Sequence, residues 1–228
     1  MLTCSDGLDP LLRRAFSLAS VRRDGDGSVV ELLLKEVGRG SAALHRVAEG
    51  ATLRLIAPLG NGFTLATAGS PPVALIAGGI GLPPVLFAAE AMAARGAQFD
   101  LYLGATTEAE LLLIDRCRAA AGGRLVLATD DGSAGEHGTV VAALARRLEA
   151  GTRYVRVLGC GPDPMLRAVA RLARERGLEA ELSLEEPMAC GVGVCLGCVV
   201  ELADGRYVPS CREGPVFRVA ELAARWST

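Results

Sequence analysis

Four short apolar runs alternate with longer stretches of helical periodicity across the middle of the chain. "PVALIAGG" (Pro72–Gly79), "FDLYLGAT" (Phe99–Thr106), "RLVLATDD" (Arg124–Asp131) and "RYVRVLGCG" (Arg153–Gly161) read as strands buried on both faces. The stretches "PPVLFAAEAMAARG", "EAELLLIDRCRAAAG", "TVVAALARRLEAG" and "PDPMLRAVARLARERG" read as helices, the first with proline at the start and glycine past the end. Such alternation predicts a parallel sheet covered by helices on both faces. Residues 1–68 differ: "SVVELLLKEV" (Ser28–Val37) and "ATLRLIAPLG" (Ala51–Gly60) are strand-like. Turn signals lie in "RRDGDG" and "APLGNGF", and a glycine turn leading into a short helix lies in "GRGSAALHRVAEG". This texture suits a small barrel or sandwich. Beyond a last strand in "EAELSLEE", a hairpin is expected in "VVELADGRYVPS", turning at Asp204-Gly205, and a short closing helix in "VFRVAELAARWST". The expected division is 1–68, 69–181 and 182–228.

Half of the 228 residues are apolar, enough to bury a core, and the formal charge is 24 − 26 = −2. No basic block points to nucleic acid or a membrane surface. The longest uncharged apolar run, Pro71–Ala89, is broken by prolines and glycines and reads as strand, turn and helix start rather than a membrane span. The opening "MLTCSDGLDP" lacks the regions of a signal peptide, so a cytoplasmic location is expected. There, seven cysteines point away from disulfides and towards metal or cluster ligation wherever they crowd.

They crowd at Cys190, Cys195, Cys198 and Cys211, spaced C-x4-C-x2-C-x12-C. That is the plant-type [2Fe–2S] spacing. Two irons need four thiolates. Gly191, Gly193 and Gly197 would let the loop take left-handed conformations and bring N–H groups to the sulfurs. The competing reading, a zinc ion held by four cysteines, wants two C-x2-C knuckles, and only one is present. Cys4 and Cys117 read as ordinary residues, and His45 and His137 as non-ligands.

"AGGIGLPP" follows a strand and opens a helix, so Gly79 and Gly81 could admit a pyrophosphate to the helix N-terminus. "GCGPDPML" holds the equivalent place after another strand, and ligands of open parallel sheets lie at that carboxyl edge. "TDDGSAGEHGT" ends a third strand. Asp130 or Asp131 there would repel the extra phosphate of NADP and favour NAD(H).

The segments "LLRRAFSL", "GRGSAAL", "APLGNGF", "AGGIGLPP", "TDDGSAGEHG", "GCGPDPML" and "EEPMACGVGVCLGC…SCREGPVF" occur in this order. Together they resemble the electron-transfer subunit of NAD-dependent (class 1B) dihydroorotate dehydrogenase, within the ferredoxin reductase superfamily. The resemblance implies a β-barrel flavin domain, an α/β parallel-sheet nucleotide-binding domain and a small C-terminal [2Fe–2S] domain. The barrel is expected to be N-terminally shortened, because only thirteen residues precede Arg14. For FAD, the resemblance implies Arg14-Ala15-Phe16-Ser17 in the arginine–serine motif, with alanine where the family has proline. Leu33-Leu34-Lys35 would lie along the isoalloxazine, and Gly40-Ser41 would sit on the diphosphate. It also sets Cys160-Gly161-Pro162 beside the nicotinamide.

The implied route runs from dihydroorotate to FMN in a separate catalytic subunit, singly through [2Fe–2S] to FAD in this chain, then as hydride to NAD⁺. This would take place in a heterotetramer of two copies of each subunit serving pyrimidine biosynthesis. The nearest rivals are the small subunit of an NADPH-dependent ferredoxin reductase or sulfide dehydrogenase, a soluble ferredoxin-like carrier and, from another class, a non-catalytic zinc protein.

Overall fold

The computed structural model describes residues 1–4, 9–122 and 124–226. The chain opens with strands β1 (Leu18–Asp24) and β2 (Gly27–Leu32) and helix α1 (Arg39–His45). Then come β3 (Val73–Gly78), α2 (Leu82–Ala94), β4 (Phe99–Ala105), α3 (Ile114–Ala121) and β5 (Leu125–Thr129). They are followed by β6 (Glu136–His137), α4 (Val140–Glu149), β7 (Arg156–Cys160), α5 (Asp163–Arg176) and β8 (Glu179–Ser183). Strands β9 (Val199–Glu201) and β10 (Tyr207–Pro209), the single-turn α6 (Ser210–Glu213) and β11 (Val216–Arg218) close it.

Seven strands form one sheet in the order β11-β8-β7-β3-β4-β5-β6, parallel throughout except for β11 against β8. Alternate residues of β3 serve opposite faces. Leu75 joins Leu82, Leu86 and Leu101 under α2 and α3, while Ala74 and Ile76 join Leu144, Leu166 and Leu182 under α4 and α5. Each fully buried leucine is worth roughly 1.5–3 kcal/mol. Helix α2 is apolar nearly all round, as a helix wedged between the sheet and the N-terminal hairpin must be. No helix among the described residues is long and apolar enough to cross a membrane.

Strand order reverses between β3 and β7, since β4 and β5 extend to one side and β7 and β8 to the other. That is where an open α/β sheet leaves a crevice at its carboxyl edge.

Three expected elements take another form. The helix expected from Glu108 begins only at Ile114, after a 3-10 turn at Glu108–Glu110 and a left-handed Leu113 (φ 50°). The closing helix is instead strand β11 followed by 3-10 turns at Val219–Glu221 and Ala224–Trp226. The free edge of β8 supplies a ladder, and β11 takes it, with Phe217 opposite Leu182. Residues 227–228 of that expected helix lie outside the described residues. The strand expected over Ala51–Gly60 is reduced to a bridge between Leu55 and Leu2, and Leu53 and Leu55 stay 42–43% exposed. In place of a barrel, the described N-terminal residues form the two-stranded β1–β2 ladder, bridges at Leu2, and a small cluster of Leu2, Cys4 and Leu44 with Phe16 and Leu34.

Candidate functional site

The cysteine loop is shaped by three left-handed residues, Gly191 (φ 74°), Gly193 (φ 82°) and Leu196 (φ 55°). Gly197, expected to be one of them, is not; Leu196 takes the turn at a cost its side chain makes real. A Cβ at Gly191 would sit 2.5 Å from Met1 Cγ, so glycine is also required there for room. The turns aim backbone N–H groups at sulfur: Val192 donates to Cys190 Sγ (3.4 Å) and Gly193 to Cys211 Sγ (3.2 Å).

The four thiols act on one another, chiefly Cys195 on Cys190 and Cys198 on Cys211, with Cys190 also felt at Cys211. The N–H groups of Val192 and Cys195, then the Cys195 thiol, bring the Cys190 thiol down to about 6. Burial, reinforced by the neighbouring Cys198 thiol, pushes Cys211 up to about 11. Cys190 and Cys195 lie on the open side, while Cys198 and Cys211 are buried. Among the described residues no three His, Cys, Asp or Glu side chains close round one point. Paired thiols suit a two-iron centre, in which each iron takes two thiolates, better than a single tetrahedral ion. A further fit is Ser210, which is fully buried beside Cys211 and whose hydroxyl has no partner among the described residues. Such an orphan is costly unless a bound acceptor, here sulfur, receives it.

The two glycine turns meet in the crevice between β3 and β7. A Cβ on Gly81 would stand 2.5 Å from the Cys160 carbonyl and the Gly161 nitrogen. Met165, which the sequence reading passed over, fills the space between the turns. A Cβ at Gly78 would meet its Sδ at 2.6 Å, and one at Gly161 its Cε at 2.6 Å. Gly79 (φ 50°) leaves open space where a side chain would be, and Pro162 is exposed at the rim. Cys160 is half-buried, and burial pushes its thiol up to about 11, so it stays protonated at neutral pH. Asp131 stands at the same sheet edge, past β5. The Ser133 hydroxyl (2.6 Å) and N–H (2.9 Å) engage its carboxylate and hold it below the usual range. It is charged and exposed, as expected, but it also shapes its own loop.

At the N-terminal part, Arg14 and Gly40-Ser41 come together. The guanidinium lies where a Cβ of Gly40 would be, 2.5 Å from Nε. The Ser41 hydroxyl is occupied within its turn, accepting from the N–H groups of Val37 (2.9 Å) and Gly38 (3.1 Å). Phe16 and Leu34 pack inward beside Leu2 and Leu44, whereas Ala15, Ser17 and Lys35 are exposed and Leu33 is half-buried. Leu33-Leu34-Lys35 lies just past β2 rather than at the end of a longer strand.

Residues 185–223 match the iron–sulfur cluster binding domain of dihydroorotate dehydrogenase B, and residues 75–171 match the oxidoreductase NAD-binding domain. The chain is 38% identical over 220 residues to the dihydroorotate dehydrogenase B (NAD(+)) electron transfer subunit of Desulforamulus reducens, spanning 94% of this chain and 81% of that one. Its identity to the Bacillus caldolyticus subunit of the same name is 40% over 219 residues, with the same coverage. The chain belongs to this family of electron transfer subunits. All four paired cysteines fall inside the iron–sulfur match, and both glycine turns inside the NAD-binding one. The fold is shared more widely. The structure of an NADH-dependent reduced ferredoxin–NADP oxidoreductase, studied for flavin-based electron bifurcation, superposes with a TM-score of 0.80 at 28% identity, over 90% of this chain and 72% of that one. The ferredoxin reductase of carbazole 1,9a-dioxygenase superposes at 0.59 with 26% identity, over 72% and 52%. The family membership thus separates this chain from the ferredoxin reductase reading, with which it shares an architecture. It also replaces the zinc reading with an iron–sulfur one.

Proposed function

We propose that this chain relays electrons between an FMN-containing dihydroorotate dehydrogenase catalytic subunit and NAD⁺, in a cytoplasmic heterotetramer of two plus two. The observation that supports this most is the pair of thiol pairs inside the iron–sulfur match, on the same body as the nucleotide-type crevice. A cluster handles single electrons, nicotinamide a hydride and FAD both, so the three together convert one currency into the other. The residues supply the holding and the electrostatics. Cys190 with Cys195 and Cys198 with Cys211 ligate, and the N–H groups of Val192 and Gly193 stabilise thiolate charge.

Gly79, Gly81 and Gly161 keep the crevice shallow enough for a pyrophosphate and nicotinamide, with Cys160 and Pro162 at its edge. Asp131 biases the choice towards NAD(H). Arg14 offers a guanidinium to the FAD diphosphate beside Gly40-Ser41, with Ala15-Phe16-Ser17 and Leu33-Leu34-Lys35 around the flavin. The working domains are 1–68, 69–181 and 182–228. The exposed Val192, Val194 and Leu196 surround the exposed Cys195, so the cysteine loop is the face turned to the catalytic subunit.

The test is Cys195→Ala in the co-expressed complex. NAD⁺-linked dihydroorotate oxidation is expected to fall to background while oxidation with an artificial acceptor at the catalytic subunit persists. Equal loss of both activities would reject the relay.

A further inference from the structure

Two segments of the chain, "APLGNGF" (Ala57–Phe63) and "GPVF" (Gly214–Phe217), present no nucleophile, ligand or charge, yet the fold brings them together. Asn61 is the joint. Its N–H donates to the Gly214 carbonyl (2.6 Å), and its Nδ2 donates to the Glu213 carbonyl (2.8 Å). Its Oδ1 accepts the Val216 N–H (3.0 Å). Gly60 is left-handed (φ 67°), and a Cβ there would strike the Gly214 carbonyl, so the approach is as close as backbone allows. Leu59, two residues earlier, lies 3.3 Å from the Cβ position of Gly191. Gly191 follows the first cysteine, and residues 213–216 follow the last. One short strap therefore comes close to the chain just after the first ligand and bonds it just after the last.

The strap is tied at its own two ends. Upstream, Leu55 bridges to Leu2, which bridges to Arg14. Downstream, the Thr64 N–H donates to the buried Glu181 carboxylate (2.7 Å), and Phe63 and Leu65 pack on the sheet core. The three parts of the molecule meet along about ten residues. Asparagine suits the joint because one side chain must donate and accept at once. Aspartate would turn a charged acceptor on the Glu213 carbonyl, and alanine would serve neither group.

We propose that Asn61 is a positioning residue that fixes the cluster domain relative to the Arg14 side of the molecule, and so sets the rate at which single electrons pass between cluster and flavin. This rests on the reading that Arg14 marks the flavin site. Electron transfer between two separately held cofactors falls as they move apart, so loosening this joint acts on transfer without removing any ligand.

The test uses the full chain carrying iron and flavin, as wild type, Asn61→Ala and Asn61→Asp. Iron and flavin content, the visible circular dichroism of the oxidised cluster and stopped-flow reduction by NADH are followed. Each NADH delivers two electrons, of which the cluster accepts one. For Asn61→Ala, unchanged iron and flavin content and unchanged flavin bleaching are expected, with cluster reduction slowed several-fold. Asn61→Asp keeps the acceptor for Val216 and is expected to fall between. Cluster reduction at the wild-type rate in a fully loaded Asn61→Ala protein overturns the proposal. So does loss of cluster in step with rate in both variants, which would make Asn61 merely structural. If the loaded wild type bleaches its flavin with NADH but never reduces its cluster, the underlying relay reading fails instead, and the proposal with it.

Discussion

Strand β3 is buried at all six of its positions, whereas β1 is buried at one of seven and β2 at none. β3 is aliphatic but for its last glycine, while β1 and β2 mix valine, leucine and alanine with serine, arginine, aspartate and glutamate. The difference lies also in neighbours. β3 has a parallel partner on each edge and a helical layer on each face, while β1 and β2 have only each other and one side of α2. A two-stranded ladder is marginal on its own. The hairpin is tied from elsewhere by the Arg116 guanidinium, while the strap that follows it is tied by Asn61 and by the Glu181 carboxylate gripping Thr64. The sheet is held by burial on both faces, and the N-terminal part by a small apolar cluster, one side of α2 and a few polar ties, so the two should fail in different ways.

The largest effect is expected in the sheet. Leu75→Ala empties a fully buried position under α2 and should cost about 3 kcal/mol. Urea unfolding followed by far-ultraviolet dichroism should show its midpoint falling well below that of Val30→Ala, a half-buried hairpin position expected to cost less than about 1 kcal/mol. Equal shifts would erase the contrast between the regions. Next comes Glu181→Ala. The carboxylate is 4% exposed, lies 3.4 Å from Arg156 and accepts the Thr64 N–H. Its removal leaves the Thr64 backbone donor unmatched, at about 1–3 kcal/mol, while Arg156 keeps its bonds to Glu179. Hydrogen exchange should rise first over residues 61–68 while the amides of β3 and β4 keep their protection. Loss of protection across both at once would mean that the strap is part of the sheet's own cooperative unit.

The same contrast explains what the sequence made legible. Strands β3, β4, β5 and β7 stood out as apolar runs because burial on both faces leaves no polar alternation to confuse with a helix or loop. The four cysteines stood out because ligation fixes residue type and spacing together. The N-terminal ladder was harder to read. Residues 51–60 carry a strand-like pattern, but a strand exists only where a second backbone pairs with it, and among the described residues only Leu55 finds one. Likewise β11 was read as helix because its pairing with β8 is decided by the edge that β8 offers, not by the local sequence. Ser210, Met165 and Asn61 were invisible as functional residues for the same reason. Each matters through a neighbour far along the chain, or through a partner it lacks. Gly60 and Gly214, beside Asn61, were the only local sign that two backbones approach closely there.

The smallest effect belongs to Arg116→Met, which tests whether the hairpin is held by charge. Arg116 donates to both oxygens of Glu90 on α2, at 3.0 Å each, and to Glu31 on β2 at 2.7 Å. Both partners are substantially exposed, so the tie should contribute less than about 1 kcal/mol and weaken as salt rises. Arg116, and then the Ser20 hydroxyl, hold the Glu31 carboxyl below its ordinary value. A carboxyl lowered on folding stabilises fully above its unfolded value, about 4.3, and loses that contribution as pH falls through the lower folded one. Hydrogen exchange of the β1–β2 amides, corrected for intrinsic rates, should therefore be insensitive to pH between 6 and 8 in the native protein and should quicken in acid. In Arg116→Met it should be faster at neutral pH, with a smaller acid change, and added salt should move it less than it moves the native protein. An unchanged salt response in the variant would assign the hairpin's hold to the apolar contact between β1 and α2 rather than to the guanidinium. The N-terminal part would then be held by burial, as the sheet is.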